Sequence, residues 1–359
     1  MRHTIGMEAR LTKFLANTRQ SMSTYNSDTF PYRGPRSAYA LLSACLLLAA
    51  VSCSPATATQ LVPTHGYTLQ LGKQHPLIGQ VYAGPTRVGG EQLQAALKNA
   101  RYLVLGETHD NRDQHQLQAQ LLQQFLAAQP GAAVAFEMLD EDDAHALTSV
   151  QSADELAARV DWEHSGWPDF AMYRPIFDVA LAAHAQLVAA HPSSAHVRAS
   201  MAGVEADEAH SLTIDRPLPD PQVQAQHDEI RESHCGHANP EMLTAMQHAQ
   251  VYKDAFMARA LVRVGTPTAL ITGRGHGRTD RAVPYFLARM HAGATLSLAF
   301  IDVDDQRLTA DAYDTSAFDF VVFTPRVTDE DPCEAFRKQL EQMRQHQEPQ
   351  DHQGSVGDG

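Results

Sequence analysis

No Walker loop, no Gly-x-Gly-x-x-Gly fingerprint and no Gly-x-Ser-x-Gly elbow occurs in the 359 residues. The phosphate cradles of nucleotide-binding folds and the serine turn of the α/β-hydrolases are therefore excluded. Cysteine is scarce, with four in the whole chain, two of them (Cys45 and Cys53) in or just after an apolar N-terminal stretch. That leaves no disulfide framework; Cys235 and Cys333 permit one bond in an oxidising compartment without demanding it. Positive charge is also short, 28 Lys and Arg against 42 Asp and Glu, a formal net charge of −14. So acidic a chain argues against nucleic acid as a partner and against docking on anionic lipid by charge. An anionic ligand held in a locally basic pocket stays compatible with it. Internal sequence repeats are absent, and a chain of this length can bury its own core.

One long apolar run is present. Ala38 to Ser52, "AYALLSACLLLAAVS", carries no charge and follows Arg33 and Arg36. A basic flank, a short apolar core and small residues before a cysteine describe a secretory signal. The run falls short of the roughly 20 residues that a spanning helix needs. "Ala50-Val51-Ser52-Cys53" fits the lipobox at which a bacterial signal is cut and the new N-terminal cysteine lipidated. Ser54 in place of Asp after it favours the outer membrane, facing the periplasm. Residues 1–52 are expected to be removed, and 53–65, "CSPATATQLVPTH", to act as a tether. Because residues 1–52 hold six of the basic and two of the acidic residues, the chain from Cys53 onward keeps 22 and 40, a net charge of −18.

After the tether, short apolar runs alternate with helical patterns. Strands are expected at Gly79–Ala83, Tyr102–Leu105, Ala132–Phe136, Gln186–Ala190, Thr268–Thr272, Thr295–Ile301 and Phe320–Phe323. Between the second and third, Leu117, Leu121, Leu122 and Phe125 fall at helical spacing, and Pro130-Gly131 closes the helix. Strand–helix–strand at this spacing is a βαβ unit. The expected fold is α/β, a largely parallel sheet flanked by helices, over residues 66–328. Residues of about 140–264, apart from one strand, read as helical insertions forming a cap. From 329 to 359 the chain is a polar tail in which Cys333 to His346 fits one amphipathic helix.

In an open parallel sheet, ligands bind outside the carboxyl ends of the strands. Two of the expected strands end in the same spacing, Gly106-Glu107-Thr108-His109 and Gly273-Arg274-Gly275-His276, where glycine is expected to turn the chain sharply. A third ends in Glu137-Met138 and a fourth in His191-Pro192. A buried carboxylate needs a cation, a metal or a proton. Glu107, His109, Glu137 and His276 are thus the catalytic candidates, with Glu107, His109 and His276 the set for a divalent ion. Such an ion would polarise a scissile carbonyl and activate water while either Glu acts as base. The plain alternative is a set of structural ion pairs. Arg274 and Arg278 suit a carboxylate or phosphate held by two hydrogen bonds, and suit equally the neutralising of the acidic cluster. Asp110 is the expected N-cap of the following helix.

The segment from Trp162 to Pro175 holds both tryptophans. It reads either as an apolar wall for a flat ligand or as a core plug beneath the cap. Tyr173 adds a hard oxygen donor suited to ferric iron, and tyrosine is an accepted axial ligand of haem; Tyr252 and Tyr285 are rivals. "His234-Cys235-Gly236-His237" has metal-ligand residue types but no second cysteine pair, and reads as structural.

Taken in order, "LGETHDNRDQH", "AFEM", "W…W-P-x-F-x-x-Y-R-P", "LVAAHPSSAHVR", "HCGH…MQHAQVYKDAFMARAL" and "GRGHGRTDRAVP" resemble the ChaN-like haem-binding uptake lipoproteins. The wider superfamily includes Tiki metalloproteases, TraB proteins and erythromycin esterases. The motifs span about residues 75–305, and the lipobox agrees with them. His191 stands where the family often has Asn, and Ala282 where it usually has Gly. The resemblance implies haem or iron binding in iron acquisition, with haem between two protomers of a homodimer and a tyrosine on iron. Cofactor contacts are accordingly expected at Tyr173, Trp167, Arg174 and Arg278. The superfamily's enzymatic branches imply the alternative, a metal-dependent hydrolase using the paired G-x-x-H loops.

Overall fold

The computed structural model describes residues 66–331 together with 333, 334, 337, 338 and 341. The expected signal segment, Cys53 and its tether lie outside the described residues, as does most of the tail. Eight strands form one sheet: β1 Val81–Ala83, β2 Thr86–Val88, β3 Tyr102–Glu107, β4 Ala133–Asp140, β5 Leu187–His191, β6 Thr268–Gly273, β7 Thr295–Asp302 and β8 Phe320–Thr324. Their order is β2-β1-β8-β7-β3-β6-β4-β5. The five contacts from β8 through to β5 are parallel, and β1 pairs antiparallel with both β8 and β2. The short hairpin strand β2, exposed at two of its three residues, has no apolar run to announce it.

Side-chain alternation along the strands builds two layers. Leu103 and Leu105 of β3, Val134 and Phe136 of β4, and Ala269 and Ile271 of β6 face one side. There they meet α1 (Gly90–Asn99), α2 (Arg112–Ala128), α3 (Ala153–Arg159) and α4 (Phe170–Ala182). Tyr102, Val104, Ala135 and Leu270 face the other side. They are covered by α8 (Pro240–Val264) and α9 (Val283–Arg289), with Leu212 and Leu218 from the segment between α6 (Ala206–Ser211) and α7 (Asp220–Ser233). The remaining helix, α5 (Ser194–Ser200), follows β5. The expected cap is thus split, α3 and α4 on one face, α8 on the other.

The connectivity fixes where a ligand can enter. From β3 the chain crosses over α2 to β4 on one side; from the adjacent β6 it crosses over α9 to β7 on the other. Connections that leave neighbouring strands in opposite directions open a crevice at their carboxyl ends. That crevice lies where the two G-x-x-H segments emerge, and parallel pairing sets Gly106 beside Thr272 and Glu107 beside Gly273.

Candidate functional site

β3 runs through Gly106 and Glu107, so the first glycine does not turn the chain. It is small for another reason: a Cβ on Gly106 would lie 2.9 Å from the Cα of Arg274. The obstacle is backbone, which cannot swing aside. Gly106→Ala is expected to cost about 1–3 kcal/mol through overpacking, read as a lower urea midpoint at unchanged slope; an unchanged midpoint would show that the two segments are not so tightly apposed. Gly273 is likewise extended, with φ −66° and ψ 151°, and a Cβ there would meet His109 Cε1 at 2.7 Å. Both glycines permit close approach.

Alternation starts Glu107 and Glu137 from opposite faces of the sheet, and the two halves of the site meet over Gly273, where a Cβ would lie 2.7 Å from His109 Cε1 and 3.6 Å from Glu137 Oε2. Glu107 points to the face covered by α4. Its Oε1 lies 2.8 Å from His109 Nδ1, while its Oε2 is buried with no protein partner. Burial opposes a charge on His109, but the hydrogen bond and charge of Glu107, with help from Glu137, raise its pKa. The His109 ring also meets Trp167 edge-on, centroids 4.9 Å apart. The helix that follows is capped by Asn111, whose side chain accepts from the backbone N–H of Asp113 and Gln114. The expected cap, Asp110, lines the cleft described below.

Glu137 lies within β4, beside an irregularity in the β4–β5 register of the kind that re-aims side chains. It points to the α8 face. Its Oε2 accepts from Thr272 Oγ1 at 2.6 Å and from the Gly273 N–H at 2.7 Å. Its Oε1 is 3.1 Å from His276 Nε2. The other ring nitrogen, His276 Nδ1, donates to Asp254 Oδ1 at 2.6 Å. Burial works against a charge on His276, yet Glu137 and Asp254 outweigh it and push the imidazole up to about 10. Burial would raise Glu137, but the His276 charge and hydrogen bond hold it well below its ordinary value. Asp254 moves the other way, its burial outweighing His276. One imidazolium thus sits between two enclosed carboxyl groups. Nearby, His191 is driven down to about 4, mainly by burial, which leaves it neutral at pH 7.

The four catalytic candidates come together as two dyads, Glu107–His109 and Glu137–His276. Sequence reading missed Asp254, although a signal existed. Residues 254, 258 and 261 share one helical face, and two of the three are apolar and fully buried; a carboxylate there needs a partner.

The expected divalent-metal set finds no support in the structure. Among the described residues no group of three or more His, Cys, Asp or Glu side chains is placed to hold a metal ion. Both nitrogens of His276 are taken by carboxylates, and Glu107 and His109 are turned toward each other. Glu107, His109 and His276 therefore do not converge as ligands, and the metal-dependent hydrolase reading gains no support.

The expected cofactor contacts separate. Trp162 is the core plug, its Nε1 donating to Pro168 O at 2.9 Å, whereas Trp167 is half-buried against His109. Tyr173 is fully enclosed, its hydroxyl donating to the His109 carbonyl at 3.3 Å. Burial, then Glu107, Glu137 and Asp110, push its phenol far above the ordinary value, so phenolate is disfavoured there. Of the rivals, Tyr252 donates to Glu208 Oε1 at 2.7 Å and Tyr285 packs beside Phe286. Arg174 pairs with Asp154 outside the cleft, and Arg278 pairs with Asp280 and Asp314.

A cleft of about 1490 Å³ opens over the carboxyl ends of the sheet, larger than the ~300–1,000 Å³ that commonly holds a small ligand. Its floor includes Glu107, His109, Asp254 and His276. Val197, Met201, Ile230, Met246 and Ala249 give it an apolar wall from the cap helices. The segment Val327–Asp331 forms its far rim. Gln226, 4% exposed, turns a buried Oε1 without a partner to the same space. Apolar wall, charged floor and orphaned acceptors fit a flat amphipathic ligand with polar edges.

A family profile described as "Haem-binding uptake, Tiki superfamily, ChaN" matches residues 93–287. No curated protein sequence matches the chain. Among solved structures, ChaN of Campylobacter jejuni, reported with cofacial haem, shares the fold at 20% identity and a TM-score of 0.56, covering 67% of this chain and 95% of that one. The type III effector HopBA1 aligns at 13% identity with a TM-score of 0.39, over 70% and 99% of the two chains. A mutant of the erythromycin esterase EreC, in its open conformation, aligns at 14% identity with a TM-score of 0.38, over 69% and 82%. On the match over more than half its length, the chain belongs to the ChaN family of haem-binding uptake proteins in the Tiki superfamily.

Proposed function

We propose that this chain binds haem in the cleft above β3 and β6, as a lipoprotein anchored through Cys53 in the bacterial outer membrane, serving iron acquisition. The observation that carries the reading is the amphipathic cleft at the topological switch point of a ChaN-family fold. The apolar wall of Val197, Met201, Ile230 and Met246 would cover a macrocycle face, while the floor meets its polar edge. Haem, when bound, would supply an iron for transfer between carriers. The Glu107–His109 dyad would present a fixed polar edge to it, and the Glu137–His276–Asp254 array would hold the loop in place.

The lipobox supports membrane anchoring; no helix among the described residues is long and apolar enough to cross a membrane. The Cys235–Cys333 disulfide supports an oxidising compartment such as the periplasm. A homodimer around haem follows from the family resemblance.

Hemin titration into the purified protein is expected to give a saturable Soret band, and no saturable change would sink the reading. Tyr173→Phe belongs in the same titration. A weakened band would place the phenol on iron and require the ring to leave its enclosed position. An unchanged band would place the iron ligand elsewhere in the cleft.

A further inference from the structure

Among the described residues, five arginines reach the cleft, and four of them are spoken for. Arg278 pairs with Asp280 and Asp314, Arg281 with Asp280 and Glu229, Arg307 with Asp304, and Arg326 with Asp305 and Asp329. The Arg274 side chain has no hydrogen bond and no ion pair among the described residues, in a chain where acidic residues outnumber basic ones by 14. It acts through charge on Asp302, whose pKa is raised by burial and which Arg274 helps to lower. Asp302 is held instead by three uncharged donors. Oδ1 accepts from Asn111 Nδ2 at 2.6 Å and Gln114 Nε2 at 3.0 Å, and Oδ2 from Thr108 Oγ1 at 2.8 Å. Arg274 is also rigidly placed: it follows β6 directly, and its Cα is pressed against Gly106 of β3.

A half-buried guanidinium without an acceptor is costly unless water or a ligand supplies one. Its planar fork matches a carboxylate through two parallel hydrogen bonds, which a point-charge ammonium cannot reproduce. We propose that Arg274 is the specificity-determining residue of the cleft, selecting a carboxylate-bearing amphipathic ligand by binding one carboxylate with its fork. The proposal rests on the haem reading, haem carrying two such groups, and names the group that distinguishes haem from an uncharged porphyrin.

The test compares hemin with its dimethyl ester, titrated into the full-length protein and into Arg274→Gln, Arg274→Lys and Arg278→Gln. Wild type is expected to bind hemin at least tenfold more tightly than the ester. Arg274→Gln should bind the two alike, by losing affinity for hemin alone, and Arg274→Lys should keep part of the preference. Arg278→Gln, which removes an arginine already satisfied by aspartates, should keep all of it. Because Arg274 has no partner to lose, both of its variants should retain the wild-type thermal midpoint. Equal affinity of wild type for hemin and ester, or an intact preference in Arg274→Gln, overturns the proposal while leaving haem binding standing. Failure of wild type to bind either porphyrin overturns the haem reading, and this proposal with it.

Discussion

Alanine in place of His276 is expected to destabilise the fold by about 3–5 kcal/mol, the range for removing one partner of a buried ion pair. The reason is the company the ring keeps: Glu137 is 6% exposed and Asp254 1%, and among the described residues His276 is the only side chain hydrogen-bonded to both. Without it, two enclosed carboxyl groups face a void, and at least one must take up a proton to stay folded. The pH dependence gives a signature that simple cavity formation lacks. His276 rises from an ordinary value of 6.5 to about 10. Its contribution is therefore fully present below about 6.5 and lost as pH rises through about 10. Glu137, held well below its ordinary 4.5, contributes above that value and loses its contribution as pH falls. Asp254, raised mainly by its burial, offsets part of this gain as pH rises. Urea midpoints of wild type and His276→Ala should be measured from pH 5 to 10. The difference between them should shrink over the alkaline limb from 6.5 to 10. A variant within about 1 kcal/mol of wild type at pH 7, or a difference independent of pH, would show that His276 is not the charged centre of this array.

Most of the sheet was legible because its strands are buried on both faces and read as unbroken apolar runs. Strand ends were less so: β3, β4 and β6 each continue into residues that composition assigns to a loop. Glu107, Glu137 and Gly273 are polar or small because of what they meet at the sheet edge, a demand that overrides local propensity. Hence the two G-x-x-H segments do meet at one sheet edge, but without the sharp turn expected of their glycines. The glycines make room for Arg274 and His109. Asp254 escaped notice because its partner lies 22 residues away and only the tertiary fold brings α8 over β4. Arg274 and Arg278 look equivalent in sequence; Asp280 and Asp314 separate them, and Asp314 arrives from the far side of β7. Tyr173 carried the right chemistry for iron, yet its position in α4 places it under His109 instead of in the cleft.

The Cys235–Cys333 bond spans 98 residues of sequence with Cα atoms 5.5 Å apart, and its removal is the second large effect expected. In the chain-entropy account, a cross-link closing about 100 residues restricts the unfolded chain by roughly 4.7 kcal/mol. The folded state does not depend wholly on the bond. Arg326 is held by Asp305 and Asp329, its backbone N–H donates to Leu71 O at 3.1 Å, and Asn111 Nδ2 donates to Pro325 O at 2.8 Å. The chain is thus anchored as far as Asp329 without the disulfide. Among the described residues, those its loss would release lie beyond Asp329, so the sheet should stay intact and the unfolded-state term should dominate. Cys235→Ser/Cys333→Ser is expected to lose about 2–4 kcal/mol, and reductant should lower wild type to the same midpoint while leaving the variant unmoved. Glu330 and Asp331, the part of the cleft rim beyond that anchor, are tied by the bond to the end of α7. Hemin should therefore dissociate faster from the double serine variant, with the apolar wall of α5 and α8 unchanged. Equal midpoints with and without reductant would mean that the bond restrains nothing the rest of the fold does not already hold.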